Sequence, residues 1–147
     1  MALPDALPLP EGPLPEAAYC PDTATAVADC NLAVVELTPA QYETAVVNLH
    51  LAERRHVGYT VTLRQDGRAV SAAAVTDCGT RYGQISYVAT LPEYEGQGLG
   101  RAVVYRCAEW LRERGRTPLI ACEAHRESFY AGLGFEQVSC VTIFGAG

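Results

Sequence analysis

The chain contains no lysine at all. That excludes Schiff-base chemistry, and it excludes the phosphate-binding loop whose terminal GK[ST] lysine reaches the outer phosphates. No arginine occurs before Arg54 either, while Asp5, Glu11, Glu16, Asp22, Asp29, Glu36, Glu43 and Glu53 all precede it. The net charge is -6 and the pI near 5.0. Domains that bind nucleic acid carry a basic face, so no nucleic-acid partner is expected. No apolar run approaches the roughly 20 residues of a membrane span, and no membrane association is expected. The leader lacks a basic region and is broken by Pro4, Pro8, Pro10, Pro13 and Pro15, so it does not read as a signal peptide. Six cysteines never fall into a CxxC pair and three histidines never into HExxH. The expectation is a cytoplasmic protein with free thiols and no metal.

What is present suits one domain of 147 residues. Residues 1–30 read as a Pro/Ala-rich acidic arm and 31–147 as the folded domain. Asn31 to Leu37 (NLAVVEL) reads as a short strand. A helix follows, with Thr38 as N-cap, Pro39 at its first position and Gln41 three after the cap, its apolar stripe running through Tyr42, Ala45 or Val46, Leu49 and Ala52. Two alternating segments flank Asp66-Gly67, the strongest short hairpin signal. Tyr82 to Leu91 is a further strand, stopped by Pro92, Leu99 to Arg114 a helix buried through Leu99, Val103, Cys107 and Trp110 or Leu111, and Thr117 to Ala124 a strand. Arg126 to Phe135 reads as a short helix running into a Gly-Phe stop, and Glu136 to Phe144 as a last strand. The fold class is mixed α/β, with a mostly antiparallel sheet whose fourth and fifth strands are parallel across a helical crossover, flanked by helices.

Between the fourth strand and the next helix lies PEYEGQGLG (Pro92 to Gly100), with glycine at 96, 98 and 100. Glycine is costly in a helix and gives a strand nothing to pack. A strand running through glycines into a helix N-terminus gathers unpaired N–H groups and the positive end of the helix dipole, which suits a phosphate or pyrophosphate. The alternative is a tight turn in which glycine only relieves strain. The dinucleotide pattern GxGxxG fails, because Arg101 stands where its third glycine belongs.

VATLPEYEGQGLGRAVV (Val88 to Val104) resembles the acyl-CoA-binding motif of the GCN5-related N-acetyltransferase (GNAT) superfamily, and SFYAGLGFE (Ser128 to Glu136) is similar to its later tyrosine motif. The resemblance spans roughly residues 31–147. It implies an acyl-CoA-dependent N-acyltransferase, with acetyl-CoA as cosubstrate and a small-molecule or peptide amine as acceptor, by direct attack. It implies that strands four and five splay, so that Val88, Ala89 and Thr90 pair with the pantetheine arm. Gly96, Gln97, Gly98, Leu99, Gly100 and Arg101 then fall on the pyrophosphate loop, Arg101 either as a charge on the anion or as a solvated residue. Tyr130 falls on the tyrosine that protonates the leaving thiolate; the alternative is a core tyrosine with its hydroxyl bonded to backbone.

A base is less legible. Many members place a glutamate where this chain has Gln84, which cannot accept a proton. Glu123, His125 or a water chain is left for that role, and each side chain is also readable as plain surface. Glu95 stands where the family has Arg or Gln, a carboxylate beside the expected anion. Only one helix is evident ahead of the hairpin. The acceptor side is then either open, or completed by the arm or by the partner of a homodimer. The rival from another class is a non-catalytic acyl-CoA-binding module that keeps the loop and lacks a base.

Overall fold

The computed structural model describes residues 1–2, 18–20, 24–32, 34 and 37–142. Its elements run β1 (Ala18–Cys20), α1 (Ala24–Leu32), α2 (Pro39–Arg54), β2 (Tyr59–Gln65), β3 (Arg68–Cys78), β4 (Tyr82–Thr90), a 3-10 turn (Pro92–Tyr94), α3 (Leu99–Glu113), β5 (Thr117–Ile120), a second 3-10 turn (Ala124–Arg126) and α4 (Glu127–Gly132). The five strands form one sheet in sequence order. Pairs β1–β2, β2–β3 and β3–β4 are antiparallel, and β4–β5 is parallel.

Local chemistry accounts for the best-defined elements. Thr38 caps α2 in a reciprocal box: its Oγ1 accepts from the Gln41 N–H at 3.3 Å, and Gln41 Oε1 accepts from the Thr38 N–H at 2.9 Å. The Asp66-Gly67 turn places both residues at positive φ (51° and 77°), which matches the twist of the strands it joins. On β2, Tyr59 stacks on Trp110 of α3 at 5.5 Å, while its neighbour Thr60 donates its hydroxyl to Glu53 of α2. Successive strand residues point to opposite faces, so α3 covers one face of the sheet and α2 the other. That double cover explains why β3 is buried continuously from Ser71 to Val75 instead of alternating.

The segment expected as a strand at Asn31–Leu37 is a correction. Asn31 and Leu32 close α1 and Val34 lies in a turn; residues 33, 35 and 36 lie outside the described residues. Two helices therefore precede the hairpin, not one. Val27 and Ala28 are fully buried and Cys30 nearly so, which gives α1 a core face at helical spacing. This helix straddles the junction expected at residue 30, and residues 3–17 of the expected arm lie outside the described residues. The last expected strand is also corrected. Only Glu136 is paired, in an isolated bridge to Ala2, which also bridges Leu119; residues 137–142 are irregular and exposed, and 143–144 lie outside the described residues. The Met1–Ala2 segment lies between the β5 edge and Glu136: Ile120 N–H donates to Met1 O and Glu136 N–H to Ala2 O.

The close fit of α2 onto the sheet depends on Gly58. A Cβ there would lie 2.5 Å from Ala52 Cβ and 2.8 Å from the Val75 carbonyl oxygen, and neither atom belongs to a flexible side chain. Gly58→Ala is expected to lower unfolding free energy by about 1–3 kcal/mol, the usual cost of overpacking. Chemical denaturation reads this directly, and an unchanged midpoint at unchanged m contradicts the packing account.

Candidate functional site

The parallel pairing of β4 with β5 is brief: Tyr82 to Ile85 match Thr117 to Ile120, and there β5 ends. β4 continues through Ser86, Tyr87, Val88, Ala89 and Thr90 with no β5 partner, which is the fork. On its other edge β4 pairs Ala89 with Ala72 and Ser86 with Ala74, so β4 carries one extra residue there, a bulge. Tyr87 takes the strain, with φ 55°. For a bulky side chain that conformation costs on the order of 1–3 kcal/mol and persists only where the surroundings impose it. Asn31 imposes it from α1: its Nδ2 donates to the Tyr87 carbonyl at 2.9 Å and to Val27 O at 3.0 Å. Ser71 Oγ fixes the strand end, donating to Ala89 O at 3.2 Å and lying 2.9 Å from Thr90 Oγ1.

Beyond Thr90 the chain enters the glycine turn. Gly96 and Gly98 hold φ 77° and 79°, which an L side chain adopts only under strain, and a Cβ at either would meet nothing within 4 Å. The space beside them is open. Gly98 is the N-cap of α3 and offers no side-chain cap, in contrast to Thr38 on α2. The first intrahelical bond runs from Ala102 N–H to Gly98 O, so the N–H groups of Leu99, Gly100 and Arg101 have no acceptor among the described residues. Uncapped donors and the helix dipole converge on that open space. Gly100 is required by contact: a Cβ would lie 3.2 Å from Thr90 Oγ1 and 3.6 Å from Phe129.

Fork and turn open on one cavity of about 490 Å³. Of the expected site residues, Val88, Ala89, Thr90, Gly96, Gly98, Leu99, Gly100 and Tyr130 line it. Gln97 is exposed on the turn between its glycines, and Arg101 places its guanidinium 5.3 Å from the centre of the Tyr105 ring; neither lines the cavity. Glu123 lies outside it with a side chain 82% exposed, but its Oε2 is 3.1 Å from Nδ1 of His125, which does line it. Gln84 is exposed on the paired part of β4, away from the fork. Glu95 stands on the rim beside Gly96.

Tyr130 is 4% exposed, with Phe129 and Phe135 edge-on to its ring at 5.0 and 6.0 Å. Its hydroxyl makes no hydrogen bond to any described residue, unlike that of Tyr105, which donates to Leu133 O at 3.0 Å. Burial pushes the Tyr130 phenol above its ordinary 10.0, the nearby Arg126 guanidinium pulls it partly back, and Cys122 adds a smaller push upward. The phenol is thus a proton donor at neutral pH. Sequence reasoning passed over Arg126 and Phe129, which line the cavity one helical turn before and directly before Tyr130, and over the Asn31–Tyr87 bulge support. Arg126 was findable by its i,i+4 spacing from Tyr130; the bulge carries no local signal.

A mixed sheet forked between parallel strands, with a glycine turn feeding an uncapped helix, defines an acetyltransferase-type fold. The chain belongs to the acetyltransferase (GNAT) family, whose model matches residues 26–135. Comparison with curated proteins yields no match. Among solved structures, a Trypanosoma brucei acetyltransferase is 21% identical with TM-score 0.69, over 89% of this chain and 100% of that one. Glucosamine-6-phosphate N-acetyltransferase from Arabidopsis thaliana is 12% identical with TM-score 0.68, over 87% and 97%. A predicted acetyltransferase from Clostridium acetobutylicum, crystallised with acetyl-CoA, is 12% identical with TM-score 0.72, over 87% and 95%. At these identities the likeness concerns the fold. No group of three or more His, Cys, Asp and Glu side chains among the described residues is placed to hold a metal ion, and no described helix is long and apolar enough to cross a membrane.

Proposed function

We propose that the protein is an acyl-CoA-dependent N-acyltransferase that passes acetyl from acetyl-CoA to a primary amine by direct attack. One observation carries the reading: the unpaired stretch of β4 runs straight into the open, uncapped glycine turn, and both line a single cavity with the buried phenol of Tyr130. The cosubstrate fits the donors present. The main chain from Val88 through Ala89 to Thr90 has no β5 partner on this edge and offers it to a pantetheine amide chain, although the Ala89 carbonyl already accepts from Ser71 Oγ. The turn from Gly96 through Gln97, Gly98, Leu99 and Gly100 to Arg101 offers N–H groups to a pyrophosphate, where glycine leaves room for it.

The chain's own chemistry follows from placement. A main-chain N–H between Val88 and Thr90 polarises the thioester carbonyl. Tyr130, neutral because it is buried, donates its proton to the departing thiolate. Glu123 does not line the cavity and His125 does, so the role of Glu123 is indirect: it holds Nδ1 of His125 and leaves Nε2 to take the amine proton. The 31–147 domain carries this chemistry, and the preceding arm contributes β1 and most of α1 as packing. A cytoplasmic setting, where thiols stay reduced, suits the five free cysteines among the described residues.

The second reading, a non-catalytic acyl-CoA-binding module, is favoured by one observation: Gln84 replaces the expected base and lies outside the cavity. Turnover separates the two. Protein, acetyl-CoA and a panel of amines are followed for free thiol and N-acetylated product. Thiol released one-for-one with product supports the transferase, and acetyl-CoA binding without release by any amine supports the module. With no lysine, the side chains of the protein add no N-acetylated background.

A further inference from the structure

The same unpaired stretch of β4 has a second side. Ser86 and Tyr87, next in chain to the cavity-lining Val88, form the wall of a separate groove of about 600 Å³ beneath α2. Asn48, Leu51, Ala52 and Arg55 of α2 line it from above, with Val57 and Thr76. At the left-handed bend the lining passes from one space to the other: Tyr87 lines the groove and Val88 the cavity. Polar groups line this groove. Thr76 Oγ1 donates to Ser86 Oγ at 3.1 Å, and Asn48 and Arg55 are the amide and the cation. No carboxylate lines it among the described residues, although the protein as a whole is acidic. Among the described residues its one charged lining group is the Arg55 guanidinium.

We infer that this groove takes the acceptor, and that the acceptor is a monoamine carrying an anionic group, carboxylate or phosphate, which Arg55 binds. The inference rests on the acyltransferase reading and names its substrate class. Ser86 and Tyr87 belong to the part of β4 without a β5 partner, so an amine lying along them points its nitrogen toward Val88 and the backbone proposed to hold the thioester. Its far end lies under α2, where a guanidinium offers a two-pronged donor to a carboxylate or phosphate. A diamine or polyamine would place its second ammonium in the same groove, with a guanidinium and no carboxylate to meet it, and like charges there disfavour binding. The acidic first third of the chain does not alter this, because its described acidic side chains do not line the groove.

The test is calorimetry on the CoA-loaded protein and initial rates with acetyl-CoA, using glycine and β-alanine (carboxylate), 2-aminoethyl phosphate (phosphate), benzylamine (neutral), and putrescine and spermidine (cationic). At least one anionic monoamine is expected to bind more tightly and turn over with higher kcat/KM than spermidine. Arg55→Gln should weaken that acceptor by roughly tenfold to a hundredfold, as loss of one or two charge-assisted hydrogen bonds implies. Acetyl-CoA affinity should not change, and Arg54→Gln, one residue away and outside the groove, should change neither. The carboxylate and phosphate arms identify which anion is read. Preference for putrescine or spermidine, absence of binding by every anionic amine, or indifference to Arg55→Gln overturns the inference while leaving the transferase reading intact. Failure of the wild type to bind acetyl-CoA removes both.

Discussion

Replacing Gly98 by glutamate is expected to abolish acetyl-CoA binding, with an affinity loss of at least about a hundredfold, or roughly 3 kcal/mol. Two effects combine. The Cβ at Gly98 would project into space empty of protein within 4 Å, the space into which the uncapped N–H groups of Leu99, Gly100 and Arg101 face. A carboxylate placed there caps those donors itself and repels an incoming pyrophosphate. At about 4 Å and an effective dielectric near 20 that repulsion alone is about 4 kcal/mol per charge pair before screening. The variant also forces a side chain to φ 79°, which costs on the order of 1 kcal/mol of stability. Gly67→Ala imposes almost the same strain, at φ 77°, in the hairpin turn away from the cavity. It should therefore lose comparable stability and keep full affinity. Equal affinity loss in both variants would mean that strain, and not the anion cradle, explains the effect. Glu95 already puts one carboxylate on the rim, so binding should weaken further at low ionic strength, where screening is least.

Tyr130→Phe is expected to lower kcat by about a hundredfold, the lower end of what a general acid contributes, with the KM for acetyl-CoA little changed. The fold should tolerate it. The ring keeps its contacts with Phe129 and Phe135, and the hydroxyl has no hydrogen-bond partner to orphan among the described residues. The pH dependence carries the sign. The active form is the protonated phenol, and burial raises its pKa above the ordinary 10.0, so activity limited by this group persists through pH 9 and falls only above pH 10. The Phe variant should lose that alkaline limb. A fall in kcat together with a large loss of stability, or a limb that survives the substitution, would assign Tyr130 to the core and not to the chemistry.

How much of this was readable from residues alone follows the range of the interactions. The α2 cap and the Asp66-Gly67 hairpin are set within a few residues, and the sequence carries them openly. The glycine turn was readable for the same reason, since positive φ at 96 and 98 is a local demand. α1 was missed because Asn31 to Leu37 looks apolar and β-branched, while the side chain of Asn31 is committed to the Val27 and Tyr87 carbonyls, the second of them distant in sequence. The last strand was overread because an apolar, β-branched run does not show whether an edge is free: Leu119 of β5 is bridged by Ala2, from the other end of the chain. Around the cavity, Glu123 and His125 lie two residues apart and are visible locally, whereas the bulge at Tyr87 and the groove under α2 are products of packing between distant segments.

The central claim is that the fork and the glycine turn form an acyl-CoA site, and a calorimetric titration of the wild-type protein with acetyl-CoA, CoA, ATP and NAD tests it most directly. The account predicts saturable binding of acetyl-CoA and CoA at one site per chain, with no comparable heat from ATP or NAD. Absence of binding by both CoA species, or tighter binding of ATP or NAD, would contradict it and leave the glycines as a turn alone.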